Sequence, residues 1–93
     1  MGTMLLLPFR ITSARAPADS CQVRLLSELL NERLSTVGWA EHQRIHVSRA
    51  GLVGAVFCVE RRREEAHRAL PGLLAATVGA IAAPAEWRVE TYE

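Results

Sequence analysis

The sequence predicts an α+β fold of ferredoxin-like βαββαβ topology, a two-layer sandwich in which a four-stranded antiparallel sheet carries two helices on one face. Three observations lead there. Segments with strand periodicity and segments with helix periodicity follow one another in the order β-α-β-β-α-β. The first and third strand segments are apolar almost throughout, as strands covered on both sides are, whereas the second and fourth alternate. That split puts the greasy segments at the centre of the sheet and the alternating ones at its edges, where this topology needs them. Finally, 93 residues with 49% hydrophobic and 23% charged side chains are enough for one core and too few for two, so residues 1–93 read as a single domain.

The first strand is expected from about Met4 to Ile11, with a loop through Ser13, Ala14, Arg15, Ala16 and Pro17. Asp19 or Ser20 can cap a helix running to about Val37, because Val23, Leu26, Leu30, Leu34 and Val37 fall on one stripe and Gly38 follows. Gln43 to Ser48 alternate, Ile45 and Val47 opposing Arg44, His46 and Ser48. Arg49, Ala50 and Gly51 suit a three-residue hairpin loop whose last position favours glycine. The strand Leu52 to Glu60 comes next. A second helix is expected from near Arg63 to before Pro84, on the period of Ala66, Leu70, Leu73, Leu74, Thr77, Val78 and Ile81. Pro71 and Gly72 fall inside it. An internal proline costs about 3 kcal/mol, so a kink or a break is expected there. Gly72, Ala76 and Ala80 form a strip of small residues that would let this helix approach its neighbour closely. The last strand is Glu86 to Tyr92, with Trp87, Val89 and Thr91 opposing Arg88, Glu90 and Tyr92.

Charge singles out no partner. The formal net charge is +1, and Arg61, Arg62 and Arg63 run directly into Glu64 and Glu65. No apolar run approaches the ~20 residues that cross a bilayer, and Leu5 to Leu7 are too short a run for a secretory signal. Two cysteines, Cys21 and Cys58, form no CxxC pair, which suits a reducing, cytoplasmic setting and supplies too few thiolates for structural zinc.

The face the helices leave open should therefore indicate what the domain meets. A loop at Arg49–Gly51 sets Ser48 opposite Leu52 and sends Leu52, Gly54, Val56 and Cys58 outward beside Arg44, His46 and Ser48. On the first strand Leu5, Leu7, Phe9 and Ile11 take the core side, leaving Met4, Leu6, Pro8 and Arg10 outside. The expected interface is thus Met4, Leu6, Pro8, Arg44, His46, Leu52, Val56 and Cys58. Its apolar centre points to a homodimer packed sheet against sheet, as in dimeric α+β barrels, or to another protein partner.

Other chemistry is weakly signalled. His42 and His46 have chelating spacing for a helix, but in a strand four residues span about 13 Å, so no metal site is expected. The same register brings His42 opposite Cys58, an arrangement that can activate a thiol. Arg10, Arg44, His46 and Cys58 are the candidate lining of a small-molecule pocket, with Trp39, Trp87 and Tyr92 nearby; no cofactor is implied. Readers of single-stranded RNA with this topology stack bases on aromatic rings of the central strands. The outward positions expected here, Met4, Leu6, Pro8, Val56 and Cys58, carry no ring, so nucleic acid is not an expected partner.

Overall fold

The computed structural model describes residues 3–14, 18–81 and 86–92. In chain order these form β1 (Met4–Ser13), α1 (Ser20–Thr36), β2 (His42–Ser48), β3 (Gly51–Val59), a short 3-10 turn (Glu60–Arg62), α2 (Arg63–Ile81) and β4 (Trp87–Thr91). The strands make one antiparallel sheet in the order β2-β3-β1-β4, so the apolar β1 and β3 are central and the alternating β2 and β4 are edges. The expected α+β arrangement is present. Residues 15–17 of the expected first loop, and the stretch 82–85 containing Pro84, lie outside the described residues.

Both helices bury the stripes that their periodicity announces. The Asp19 carboxylate accepts from the backbone N–H groups of Cys21 and Gln22 at the start of α1, and Val23, Leu26, Leu30 and Leu34 are buried along it. On α2, Ala66, Leu70, Leu74, Thr77 and Val78 are buried. The one polar member of that set is satisfied: the Thr77 hydroxyl donates to the Leu73 carbonyl at 2.7 Å and accepts from Arg33 of α1 at 3.3 Å. Trp39 closes the end of the core after α1, and Arg62 holds that loop to α2 by donating to the Gly38 carbonyl while its other donors engage the Glu65 carboxylate.

Two features of α2 bear on the expectations for it. The helix is continuous through Pro71, so of the kink or break expected there the break does not occur. Pro71 is exposed, so the carbonyl deprived of its intrahelical partner lies on the solvent side, where water can satisfy it. Gly72, Ala76 and Ala80 are exposed too, and a Cβ added at Gly72 would meet nothing within 4 Å. The small-residue strip faces outward and does not serve close packing on the sheet.

The hairpin joining β2 to β3 decides the faces of the sheet. Ser48 pairs with Gly51, leaving Arg49 and Ala50 alone as the loop, one residue fewer than expected. No described non-glycine residue has positive φ, so the turn is not of the primed kind that matches strand twist most easily, and the backbone adjustment falls on Gly51 at φ +149°. A side chain there is excluded twice over, since a Cβ would lie 2.1 Å from the Ile11 carbonyl oxygen. The turn is anchored from outside as well: the N–H groups of Ser13 and Ala18 donate to the carbonyls of Ala50 and Arg49 at 2.8 and 2.9 Å.

Pro8 lies in a central strand, a place proline normally avoids. Its carbonyl accepts from Tyr92 N–H at 3.0 Å, so its nitrogen also points toward β4 and away from β3. The β1–β4 ladder starts only at Phe9–Thr91, and the missing donor therefore falls where pairing with β4 ends. Beyond it, the backbone groups of Leu6 and Met4 on that side have no strand partner among the described residues.

Gly54 sits on the core side opposite Phe9, where a Cβ would lie 2.5 Å from the Arg44 carbonyl oxygen and 2.6 Å from Phe9 Cζ. Gly54→Ala should destabilise the fold by about 1–3 kcal/mol through overpacking. Gly72→Ala, on the open helix surface, should be neutral or stabilising by up to about 1 kcal/mol. Urea unfolding midpoints distinguish the two sites, and equal effects would contradict the packing described.

Candidate interaction surface on the open sheet face

Strand register fixes which side chains share the uncovered face. Across β2, β3 and β1, the outward rows are His42, Phe57 and Leu6; then Arg44, Ala55 and Pro8; then His46, Val53 and Arg10. Val59 and Met4 form a shorter row at one end, and Glu90 and Arg88 of β4 extend the rows at the other. The centre is an apolar ribbon two strands wide. Within it Met4, Leu6 and Val53 are 48, 51 and 41% exposed, while Pro8, Ala55, Phe57 and Val59 are half-buried by their neighbours.

The structure brings five of the eight expected interface residues to this face: Met4, Leu6, Pro8, Arg44 and His46. Leu52, Val56 and Cys58 are a correction. Each is 0% exposed and belongs to the core beneath the helices, with Gly54 on the same side. The physical cause is the shorter hairpin loop, because a slip of one residue in a strand reverses every side chain along it. Val53, Ala55, Phe57 and Val59, expected inside, take the outward places. Since β3 is apolar on both faces, the slip exchanges one apolar set for another and the open face keeps its character. Gly54 is the residue that could have revealed the register, because an interior strand glycine marks close approach of another group, here the Phe9 ring.

The polar periphery is organised at one edge. Arg10 donates to the Tyr92 hydroxyl at 2.8 Å and lies over its ring, 5.7 Å from the centroid, and Tyr92 in turn donates to the Glu90 carboxylate at 2.8 Å. At the opposite edge the His42 ring lies 5.8 Å from that of Phe57 at a tilt of 42°. Phe57 overturns the premise that the central strands show no ring outward. It is nevertheless the single aromatic ring on that face of β1 and β3, and its partner across β1 is Leu6.

The candidate thiol chemistry does not assemble. His42 pairs with Phe57 on the open face, and Cys58 points into the core on the other side of the sheet. Burial raises the Cys58 pKa above its ordinary value, outweighing the opposing effect of Arg63, so the thiol stays neutral near physiological pH. The residues expected to line a pocket are likewise divided. Arg10, Arg44 and His46 lie on the open face and Cys58 on the covered one, and His46 stands two strand spacings, about 10 Å, from Arg10. Depressions of about 430 and 600 Å³ lie instead along the first turns of α2, among mixed charges such as Arg61, Glu64 and Arg68, and one of about 380 Å³ lies beside Thr12 and Arg88. Trp39 and Trp87 are both core residues.

No protein-family model matches this chain, and no curated protein matches it. Among the described residues, no group of three or more His, Cys, Asp and Glu is placed to hold a metal ion, and no helix is long and apolar enough to cross a membrane.

Cysteine labelling checks the reversed register directly. Exposed Cys21 should react rapidly with an alkylating reagent, whereas Cys58 should react only on unfolding and at a rate indifferent to His42→Ala. Because the folded state holds the Cys58 proton more tightly than the unfolded chain does, the stability it contributes is present below the ordinary thiol pKa of 9.0 and is lost as pH rises through the raised value. Rapid native-state labelling of Cys58 would place it outward and reject the assignment.

Proposed function

We propose that this chain is a small non-catalytic protein-interaction module that associates through the open face of its β-sheet, with a second copy of itself as the occupant. The supporting observation is the apolar ribbon of Met4, Leu6, Pro8, Val53, Ala55, Phe57 and Val59, contiguous across both central strands. Such a patch costs free energy in water and is characteristic of a surface that is covered in use. A face built from strand residues is also flat, which favours another sheet over a small ligand as the covering surface.

The competing reading, a cofactor-free enzyme or small-molecule-binding domain of the dimeric α+β barrel type, draws less support. The side chains it would need do not converge: Arg44 and His46 lie on β2, Arg10 lies on β1 with β3 between them, and Cys58 is on the opposite face. Nucleic-acid binding is also less favoured, because stacking would rest on Phe57 alone in the central strands.

Light scattering and sedimentation at low micromolar concentration should return a mass of two chains. Leu6→Glu, which places a charge at the middle of the ribbon, should weaken association by about 100-fold while leaving the thermal midpoint of the monomer nearly unchanged. A wild-type chain that stays monomeric up to 100-fold higher concentration would remove the proposal.

A further inference from the structure

Resting on the homodimer reading, we infer that the two sheets are related by a twofold axis running along the strands, so that Arg44 and His46 at the β2 edge meet the partner's Glu90 at the β4 edge. A face-to-face pair has two simple ways to turn one sheet over onto the other, and the outward charges distinguish them. Arg44, between His42 and His46, occupies β2, Arg10 occupies β1, and Arg88 and Glu90 occupy β4. Glu90 is the single carboxylate at the described outward strand positions, and it lies on the edge opposite Arg44.

Turning the partner about an axis across the strands lays β2 over β2. Arg44 then approaches the partner's Arg44, with no outward carboxylate on β2 or β3 to offset the repulsion. An axis along the strands exchanges the edges. Within the roughly 30° offset of aligned sheet packing, β3 then lies over the partner's β1, Phe57 against the partner's Leu6 and Ala55 against the partner's Pro8. The apolar ribbon covers itself, and each β2 edge falls over the β4 edge that carries Glu90 and Arg88. Glu90 is suited to the contact because the Tyr92 hydroxyl already holds it at 2.8 Å, and an ionised carboxylate accepts further hydrogen bonds beyond that one. Arg88 comes beside the partner's Ser48, so no cation lands on another. In this register His46 lies over the partner's Glu90 and Arg44 over the partner's Tyr92, one row from that carboxylate and within a guanidinium's reach of it; the arrangement is isologous, which closes the assembly at two chains and makes each contact twice.

Charge exchange tests the axis separately from dimerisation. Arg44→Glu and Glu90→Arg should each weaken the dimer at least tenfold in sedimentation equilibrium, and the double variant should return to within about threefold of wild type. An equimolar mixture of the two single variants should form a heterodimer, since both contacts are then of opposite charge. Circular dichroism and thermal midpoints of the variants establish that each is folded. A dimeric wild type whose double variant is as weak as the product of the single effects overturns the axis while leaving the homodimer standing. A monomeric wild type overturns both.

Discussion

A strand has only two ways to present its side chains, and the choice is made at whichever residue first joins the ladder. In β3 that residue is Gly51, which pairs with Ser48 after a loop of two residues. Its φ of +149° and its approach to the Ile11 carbonyl leave no room for a side chain, so the sharp entry into the sheet depends on glycine. The remainder of the core follows from that entry. Leu52, Val56 and Cys58 turn toward the helices, Gly54 makes room for Phe9, and the helix stripes of Leu26, Leu30, Leu70 and Leu74 close over them. The outward set is the remainder of the same alternation, so the core and the candidate surface are consequences of one backbone decision.

This explains which parts of the fold were legible in the sequence. Helix stripes, strand order and the central position of β1 and β3 come from differences between faces or between segments, and such differences are written in the residues. The parity of β3 is not, because Leu52 to Val59 are apolar in both alternations and carry no contrast to read. The β1 parity was legible for the opposite reason: Arg10 can lie only outside, which fixes Leu7, Phe9 and Ile11 within. The proposed His42–Cys58 pair and the four-residue pocket inherited the error in β3, since each joined a β2 residue correctly placed outside to a β3 residue that lies inside. Loop length was the missing quantity. Arg49 and Ala50 keep negative φ and resemble no favoured two-residue turn, so local turn chemistry pointed to the longer loop.

Proline shows the same dependence on surroundings. Pro8 and Pro71 each sit where propensity forbids them, one in a central strand and one inside a helix. Both are accommodated because the hydrogen bond they forgo is directed to a place where it has least value. For Pro8 that place is the end of the β4 ladder, and for Pro71 it is the solvent side of α2. Neither direction can be read without the neighbouring strand or the helix orientation.

A sheet with helices on one face needs apolar side chains on that face only, and an isolated two-layer domain gains nothing from a second apolar set. The covered layer here is complete by itself: its one buried polar residue is bonded, and among the described residues no buried side-chain nitrogen or oxygen lacks a partner. The outward ribbon therefore is not spare core. It lies where β1 and β3 are adjacent, it is bounded by arginine and histidine on one edge and by the Arg10–Tyr92–Glu90 chain on the other, and this polar rim around an apolar centre supports the interface proposed. The Tyr92 hydroxyl adds a geometric constraint, because it holds Glu90, the one carboxylate at the described outward strand positions, at the edge opposite Arg44. With Arg44 on one edge and Glu90 on the other, the face carries a charge pair that rotation about the strand direction would bring together in the proposed dimer.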